Sequence, residues 1–340
     1  MKRSSTRRSR DSEKEGEIEL PTFEDVVSAR EFIAPHLPPT PLVRSESLSR
    51  LLGCEYFVKC ESMQPVGAFK VRGGVNLVGR LSASERQAGV ISASTGNHGQ
   101  SIAYAGRLFD VPVVIYAPEE NPNEFKLEAM RALGAEVRLY GRDFDEARTE
   151  VERVAAAEGM RYIHSANEAH LISGVGTIGL EIIDALEDVD VVITPVGAGS
   201  CACGTALAVK RGGREGSPVQ VIGVQSAAAP AVWQAWKQGN LEVTAEMRTV
   251  HEGLATRVPF AMPLRIMWRE LDDFVLVSDS DIEAAIRMLA QQVRLVAEGA
   301  GAVSLAGATL LRERFAGLKV VGVLSGGNLP LERYADILKR

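Results

Sequence analysis

Two α/β lobes, built on parallel or mixed sheets flanked by helices and separated by a cleft, are what this chain predicts. Three observations carry that expectation. Short β-branched runs alternate with amphipathic helical stretches along most of the chain, the runs carry few charges, and 340 residues suffice for two lobes around a substantial core. Strands covered by helices on both faces have that uncharged character.

The elements follow in order. Pro38, Pro39 and Pro41 mark an extended entry segment, because proline fixes φ and biases the preceding residue away from helix. The pattern then predicts a strand over Tyr56 to Cys60, a helix over Phe69 to Leu81, a strand over Gly89 to Ala93 and a helix over Gly99 to Phe109. A strand over Pro112 to Tyr116, a helix over Glu124 to Leu133, a strand over Glu136 to Tyr140 and a helix over Phe144 to Glu158 continue it. In the second half, strands are expected at Val189 to Thr194, Val219 to Val224, Phe274 to Val277 and Lys319 to Leu324, with long helices at Asp279 to Val296 and Gly301 to Phe315.

Composition excludes several classes. A hydrophobic content of 46% with 24% charged residues describes an ordinary globular chain, and the net charge of -6 argues against a dedicated nucleic-acid binder. Four cysteines without framework spacing (Cys54, Cys60, Cys201, Cys203) fit a reduced, cytoplasmic setting. Val191 to Val209 is uncharged and approaches the length of a membrane span, but Pro195, Gly197, Gly199 and Gly204 divide it into strand, loop and helix start. No membrane association is expected. The start MKRSSTRRSR leads into acidic residues rather than an apolar core, so residues 1–20 read as a disordered, solvated tail.

Ligands of such sheets bind beyond the carboxyl ends of the strands, which makes the strand-to-helix loops the places to search. Ser94-Thr95-Gly96-Asn97-His98-Gly99 offers hydroxyls, an amide and free N–H groups at a helix start, a set suited to a carboxylate. Pro195 to Ser200 could converge successive amides on a phosphate, although the same small residues would permit close helix-to-strand packing. Ser325-Gly326-Gly327-Asn328 could place a hydroxyl in the cleft or form a tight turn. In Gly67-Ala68-Phe69-Lys70-Val71-Arg72-Gly73-Gly74 a lysine stands among small residues; desolvation would lower its pKa and make it a nucleophile toward carbonyls.

Two signals are set aside. Gly174-Val175-Gly176-Thr177-Ile178-Gly179 matches a dinucleotide fingerprint by spacing, but no clear strand leads into it, and His170-Leu171-Ile172 reads as a turn before a helix. Of the histidines only His98 lies in a polar glycine loop; His36, His164, His170 and His251 lack metal-ligand spacing, and no metal site is expected.

The segments GAFKVRGG, SASTGNHGQSIAYA, SGVGTIGLE, PVGAGS, EGLATRV and LSGGN occur in the order found in fold-type II pyridoxal-phosphate enzymes, a tryptophan synthase β-like architecture. From about Pro41 to Asn328 the chain resembles the threonine/serine dehydratase and serine racemase group. The resemblance implies pyridoxal 5'-phosphate held by Lys70 as a Schiff base, with Phe69 against the ring. Asn97 would bond its phenolic oxygen, Gly197, Ala198, Gly199 and Ser200 its phosphate, and Ser325 would face the ring nitrogen. The backbone at Gly253 would lie beside the ring. Ser94, Thr95 and His98 would hold the substrate carboxylate.

The implied reaction is β-elimination: a substrate amine displaces Lys70, the freed lysine takes the α-proton, hydroxide leaves as water with a proton from the cofactor phosphate, and the enamine released is hydrolysed by water to a 2-oxo acid and ammonia. L-Threonine, L-serine or a related β-hydroxy amino acid is the implied substrate, with serine-type racemisation as the alternative. That alternative rests on Thr95, whose hydroxyl stands where racemases of the group carry a reprotonating serine. Departures from the group's pattern are Ala68 in place of serine, GAGS in place of four glycines, and QSAAAPA where some relatives carry cation-binding carboxylates. The expected division is a large cofactor-binding domain of residues 21–85 and 169–340 and a small mobile domain of residues 86–168, and the resemblance implies a homodimer or higher homo-oligomer.

Overall fold

The strand inserted last in the sequence occupies the middle of the larger sheet, and that placement builds the site. The structure is a computed structural model that describes residues 18–120, 122–213 and 218–340. Most of the expected tail therefore lies outside the described residues. The chain enters through α1 (Phe23–Ile33), where Thr22 and Asp25 each accept the other's backbone N–H in a capping box. After it come β1 (Leu42–Arg44), α2 (Glu46–Leu52), β2 (Glu55–Cys60) and α3 (Lys70–Gly79).

A smaller layer follows, made of α4 (Ala83–Ala88), β3 (Val90–Ala93), α5 (Asn97–Phe109), β4 (Val113–Ala117), α6 (Glu124–Ala132), β5 (Glu136–Leu139), α7 (Phe144–Glu158) and β6 (Arg161–Tyr162). The larger layer resumes with α8 (Ala169–Ala185), β7 (Val191–Pro195), α9 (Ser200–Gly212), β8 (Gln220–Ser226), α10 (Ala231–Gln238), α11 (Ala261–Glu270), β9 (Asp273–Val277), α12 (Asp279–Met288), α13 (Gly299–Leu310), β10 (Lys319–Leu324) and α14 (Leu331–Lys339).

The larger sheet runs β1-β2-β10-β7-β8-β9, parallel except for the β1–β2 pair, and the smaller runs β5-β4-β3-β6, parallel throughout. Since β10 pairs with both β2 and β7, the loops leaving these three strands are neighbours. Lys70, Gly197 and Ser325 follow those strands. All five residues of β7 are buried, as the uncharged run Val191 to Pro195 requires, and α9 carries the rest of the uncharged stretch. No helix among the described residues is long and apolar enough to cross a membrane.

One core lies under the smaller sheet and includes Val71, Val75 and Val78 of α3 together with Val90, Ile102, Ile115 and Leu127. The helix that carries Lys70 therefore packs against the smaller sheet's core while its start is tied to the larger sheet. Phe69 N–H donates to Ser325 O at 2.9 Å, and Ala68 bridges Gly326.

Three expectations are corrected. The helix expected over Asp279 to Val296 is α-helical only to Met288; a π turn over Leu289–Val293 follows and Arg294, at φ 61°, reverses the chain. The helix expected over Gly301 to Phe315 begins at Gly299 and ends at Leu310, with a 3-10 turn over Arg312–Phe315. His170, Leu171 and Ile172 form the first turn of α8 rather than a turn before it, so the fingerprint glycines lie wholly within a helix. Their task is close packing: a Cβ on Gly204 of α9 would stand 2.5 Å from Ile172 O and 2.6 Å from Gly176 N.

Arg72 points away from Lys70 into a buried ionic cluster. Its guanidinium meets Glu61 at 2.7 Å and Glu181 of α8 at 2.6 Å, and it donates to Thr177 Oγ1 at 3.0 Å. Lys59 pairs with the same Glu181. Thr177 and Glu181 thus extend the glycine motif into a clamp on α3.

Candidate active site

A cleft of about 430 Å³ opens beyond the carboxyl ends of both sheets and draws its lining from loops after β3, β4, β5, β7 and β10. Every residue expected at the site lines it: Phe69, Lys70, Ser94, Thr95, Asn97, His98, Gly197, Ala198, Gly199, Ser200, Gly253 and Ser325.

Lys70, the first residue of α3, reaches Ser200 Oγ at 2.9 Å and the Ser165 carbonyl at 3.5 Å. Burial pushes its amine down from 10.5 to about 8. Neither contact carries a formal charge, and against that burial stands the Cys201 thiol, which opposes it only in part. Ser101 Oγ donates to Lys70 O at 2.6 Å and holds the start of α3 against α5.

The turn from β7 into α9 has the geometry of an anion cradle. Gly199 adopts φ 103° as the residue before the helix, and a Cβ on Gly197 would stand 2.2 Å from Gly253 O. A side chain fits at neither position. The turn delivers backbone N–H groups at the start of a 13-residue helix, where the dipole favours negative charge. A phosphate fits there, and a carbonyl carbon fits beside Lys70, so the cleft suits an aldehyde-bearing phosphate ester.

Asn97 opens α5 and both ends of its amide are engaged. Its Nδ2 donates to Glu298 Oε1, and its Oδ1 accepts from Asn328 Nδ2 at 2.8 Å, which leaves one Nδ2 hydrogen free. Ser325 is buried and donates to Ala300 O at 2.9 Å, so its hydroxyl can accept from a ligand as it stands and must rotate to donate to one. Thr95 lines the cleft with its hydroxyl unbonded among the described residues.

Ser94 and His98 differ in detail from their expected roles. Ser94 Oγ accepts N–H groups from Gly96 at 3.1 Å and Gly99 at 2.8 Å, so it braces the loop from within. Ser92 Oγ spends its one hydrogen on Ile163 O at 2.7 Å and therefore accepts from His98 Nε2 at 3.0 Å. Burial, with Lys70 and His164 near, holds His98 well below its usual value. Its ring is thus neutral, with Nδ1 bare and unpartnered, and cannot donate to a carboxylate. The donors left to this loop for a carboxylate are the Thr95 hydroxyl and the backbone N–H groups of Asn97 and His98, since Gly99 N–H is taken by Ser94 and Gln100 N–H by Gly96 O.

Three cleft residues were not legible beforehand. Glu298 precedes α13 and is buried; burial pushes its carboxyl up, and Lys126 opposes that only in part. Lys126 of α6 places Nζ 2.8 Å from Glu252 and 3.6 Å from Glu298. A lone acid after the apolar run Leu295-Val296-Ala297 was the available signal for Glu298; Lys126 and Glu252 resemble ordinary surface charges. Among the described residues no cluster of three His, Cys, Asp or Glu groups forms, and Gln225 in the departing QSAAAPA stretch accepts Trp233 N–H at 3.0 Å.

A desolvated amine beside a phosphate cradle, in a cleft between two parallel sheets, defines a class of enzymes that bind an aldehyde cofactor covalently. Residues 33–326 match the family model described as pyridoxal-phosphate dependent enzyme, and the chain belongs to that family. An L-threonine ammonia-lyase of Thermotoga maritima is 37% identical over 94% of this chain and 78% of its own length. A catabolic L-threonine dehydratase of Staphylococcus aureus is 33% identical over 93% of this chain and 91% of its own. Among solved structures, the processed form of threonine deaminase isoform 2 from Solanum lycopersicum superimposes with a TM-score of 0.87 at 30% identity, covering 97% of this chain and 98% of its own. Maize serine racemase does so with a TM-score of 0.87 at 26% identity, covering 94% and 99%.

Proposed function

We propose that the protein is a pyridoxal-phosphate-dependent ammonia-lyase that converts L-threonine or L-serine, or a related β-hydroxy amino acid, to a 2-oxo acid and ammonia. The observation that carries this reading is the Lys70 amine, lowered to about 8 and 2.9 Å from Ser200 at the head of the Gly197 to Ser200 turn. Homology to threonine ammonia-lyases over most of the chain supports it.

Bound pyridoxal phosphate supplies an electron sink for the electrons of a broken Cα–H bond. Around it, Gly197, Ala198, Gly199 and Ser200 hold the phosphate, Phe69 packs beside the ring, and Gly253 leaves room for it. Asn97 offers its free Nδ2 hydrogen, and Ser325 offers a neutral hydroxyl rather than an acid to the ring nitrogen. Thr95 and the amides at the start of α5 hold the substrate carboxylate, with Ser94 and His98 keeping that loop in shape. Lys70 Nζ, neutral in useful amounts near pH 8, anchors the cofactor and then takes the α-proton.

Incubation with L-threonine and with L-serine, with 2-oxo acid, ammonia and D-enantiomer all measured, tests the assignment. The reading expects 2-oxo acid and ammonia in equal amounts; an enzyme that takes up cofactor yet yields neither product from any β-hydroxy amino acid would overturn it. The unbonded Thr95 hydroxyl favours a second reading, racemisation on the same scaffold. Thr95→Ala should then remove D-enantiomer formation and spare elimination. We further read residues 86–168 as a domain that moves against the rest, and the assembly as a cytoplasmic homodimer; sedimentation of the holoenzyme checks the latter.

A further inference from the structure

A buried chain of polar groups crosses the cleft behind Asn97 and ends on Lys126, to which the reaction described above gives no role. Asn328 Nδ2 gives one hydrogen to Val66 O at 2.8 Å and the other to Asn97 Oδ1 at 2.8 Å, which fixes both amides' orientation at that end. At the other end Asn97 Nδ2 donates to Glu298 Oε1. An ionised carboxylate only accepts, and its charge strengthens the bond it takes from Asn97 Nδ2, so the amide that Asn328 orients at its oxygen end is held at its nitrogen end as well. Glu298 therefore holds Asn97 most firmly as an anion.

Burial works against that anion, and the group opposing it is Lys126, 3.6 Å from Glu298 Oε2. Lys126 is itself buried; burial alone would lower it, but Glu298 and Glu252 hold it above its usual value, so it stays a cation. Its stem lies over the Ser94 to Gly99 loop, where a Cβ on Gly96 would stand 3.1 Å from Lys126 Cδ. Lys126 comes from α6 beside the smaller sheet, whereas Glu298 and Glu252 come from segments of the larger one.

We propose that Lys126 is a positioning residue for the cofactor pocket: by pairing with Glu298 across the cleft it fixes the Asn97 amide with its free Nδ2 hydrogen presented to the cofactor. The closed cleft is then the arrangement in which Asn97 is correctly presented. This inference rests on the functional reading above, since it assigns Asn97 to the cofactor.

The test uses full-length holoenzyme carrying Lys126→Met, Lys126→Arg, Asn97→Ala and the Lys126→Met/Asn97→Ala pair. The readouts are the dissociation constant for pyridoxal phosphate and the position of the bound cofactor's visible band. Lys126→Met should weaken cofactor binding roughly tenfold, in the range of one hydrogen bond to a charged partner, and displace the band. Lys126→Arg should recover most of both, and Lys126→Met should add little once Asn97 is alanine. Glu298→Gln, which keeps the side-chain shape but can donate, should reproduce the loss even where Lys126→Met folds poorly. Unchanged affinity and band in Lys126→Met or in Glu298→Gln, or full additivity with Asn97→Ala, would overturn the inference while leaving the lyase reading intact. A wild-type protein that takes up no cofactor would overturn both.

Discussion

Lys70 has to be an amine rather than an ammonium ion to attack a carbonyl, and its surroundings decide at what pH that happens. Burial lowers it to about 8, and the groups within reach, Ser200 Oγ and Ser165 O, are uncharged. The sign follows directly: below pH 8 the protonated form dominates and capture of the cofactor slows by about tenfold per pH unit, while above pH 8 the rate levels off. Stopped-flow reconstitution of cofactor-free protein between pH 6 and 10 reads this, and a rate still rising at the top of that range would show an amine of ordinary basicity. His98 illustrates the opposite lesson. Its place in a polar loop suggested a carboxylate ligand, but burial keeps it neutral and the bond to Ser92 commits its one ring hydrogen. Residue type and loop position were readable; the direction of a hydrogen was not, because Ser92 and Ile163 meet only in the folded chain.

At the level of elements, the pairing of α8 with α9 shows why a glycine motif can be present without a nucleotide. Gly204 and Gly176 let the two helices touch backbone to backbone, and Cys203, beside Gly204, is wholly buried. Gly204→Val should destabilise the protein by about 3 kcal/mol or more, since the obstructing atoms are main-chain and cannot step aside. Thermal unfolding tests this, and a midpoint matching wild type would mean the crossing is looser than described. The clamp on α3 carries a second expectation. Glu61→Ala leaves Arg72 buried with one carboxylate fewer and should cost about 3–5 kcal/mol by denaturant unfolding. A loss below about 1 kcal/mol would assign that cluster no structural weight.

Most strands and the helices between them were legible because β-branched runs such as Val191 to Thr194 have no other use in a chain this polar. The helix over Phe144 to Glu158 was placed to the residue. The short β1 and β6 and the helices α1, α2, α4, α10, α11 and α14 were not; in α2 and α4 about two turns leave little periodicity to read. The break at Arg294 was also hidden: nothing in the sequence announces a left-handed arginine.

Across the whole molecule, two cations bridge the layers over the cleft: Lys126 with Glu252 and Glu298, and Arg257 with Asp143 at 2.7 Å and Asp145 at 3.4 Å. The second is exposed, and an exposed pair contributes no more than about 1 kcal/mol. Arg257→Ala should therefore raise KM for the amino acid by no more than about fivefold, with the effect shrinking in high salt. A loss of a hundredfold in kcat would instead place Arg257 in contact with the reacting substrate. The glycine turn after β7, the Lys70 segment and the Ser325 loop were visible one by one as small-residue runs. Their convergence was implied by the family resemblance and not by the residues themselves, because it depends on β10 pairing between β2 and β7.

On that convergence rests our proposal that Lys70 anchors the cofactor, and one measurement addresses it. The holoenzyme is reduced with borohydride, digested, and the pyridoxyl-bearing peptide sequenced by mass spectrometry. The label is expected on Lys70 alone, with Lys70→Ala unlabelled and inactive. A label on any other lysine, or turnover that survives in Lys70→Ala, would contradict the account.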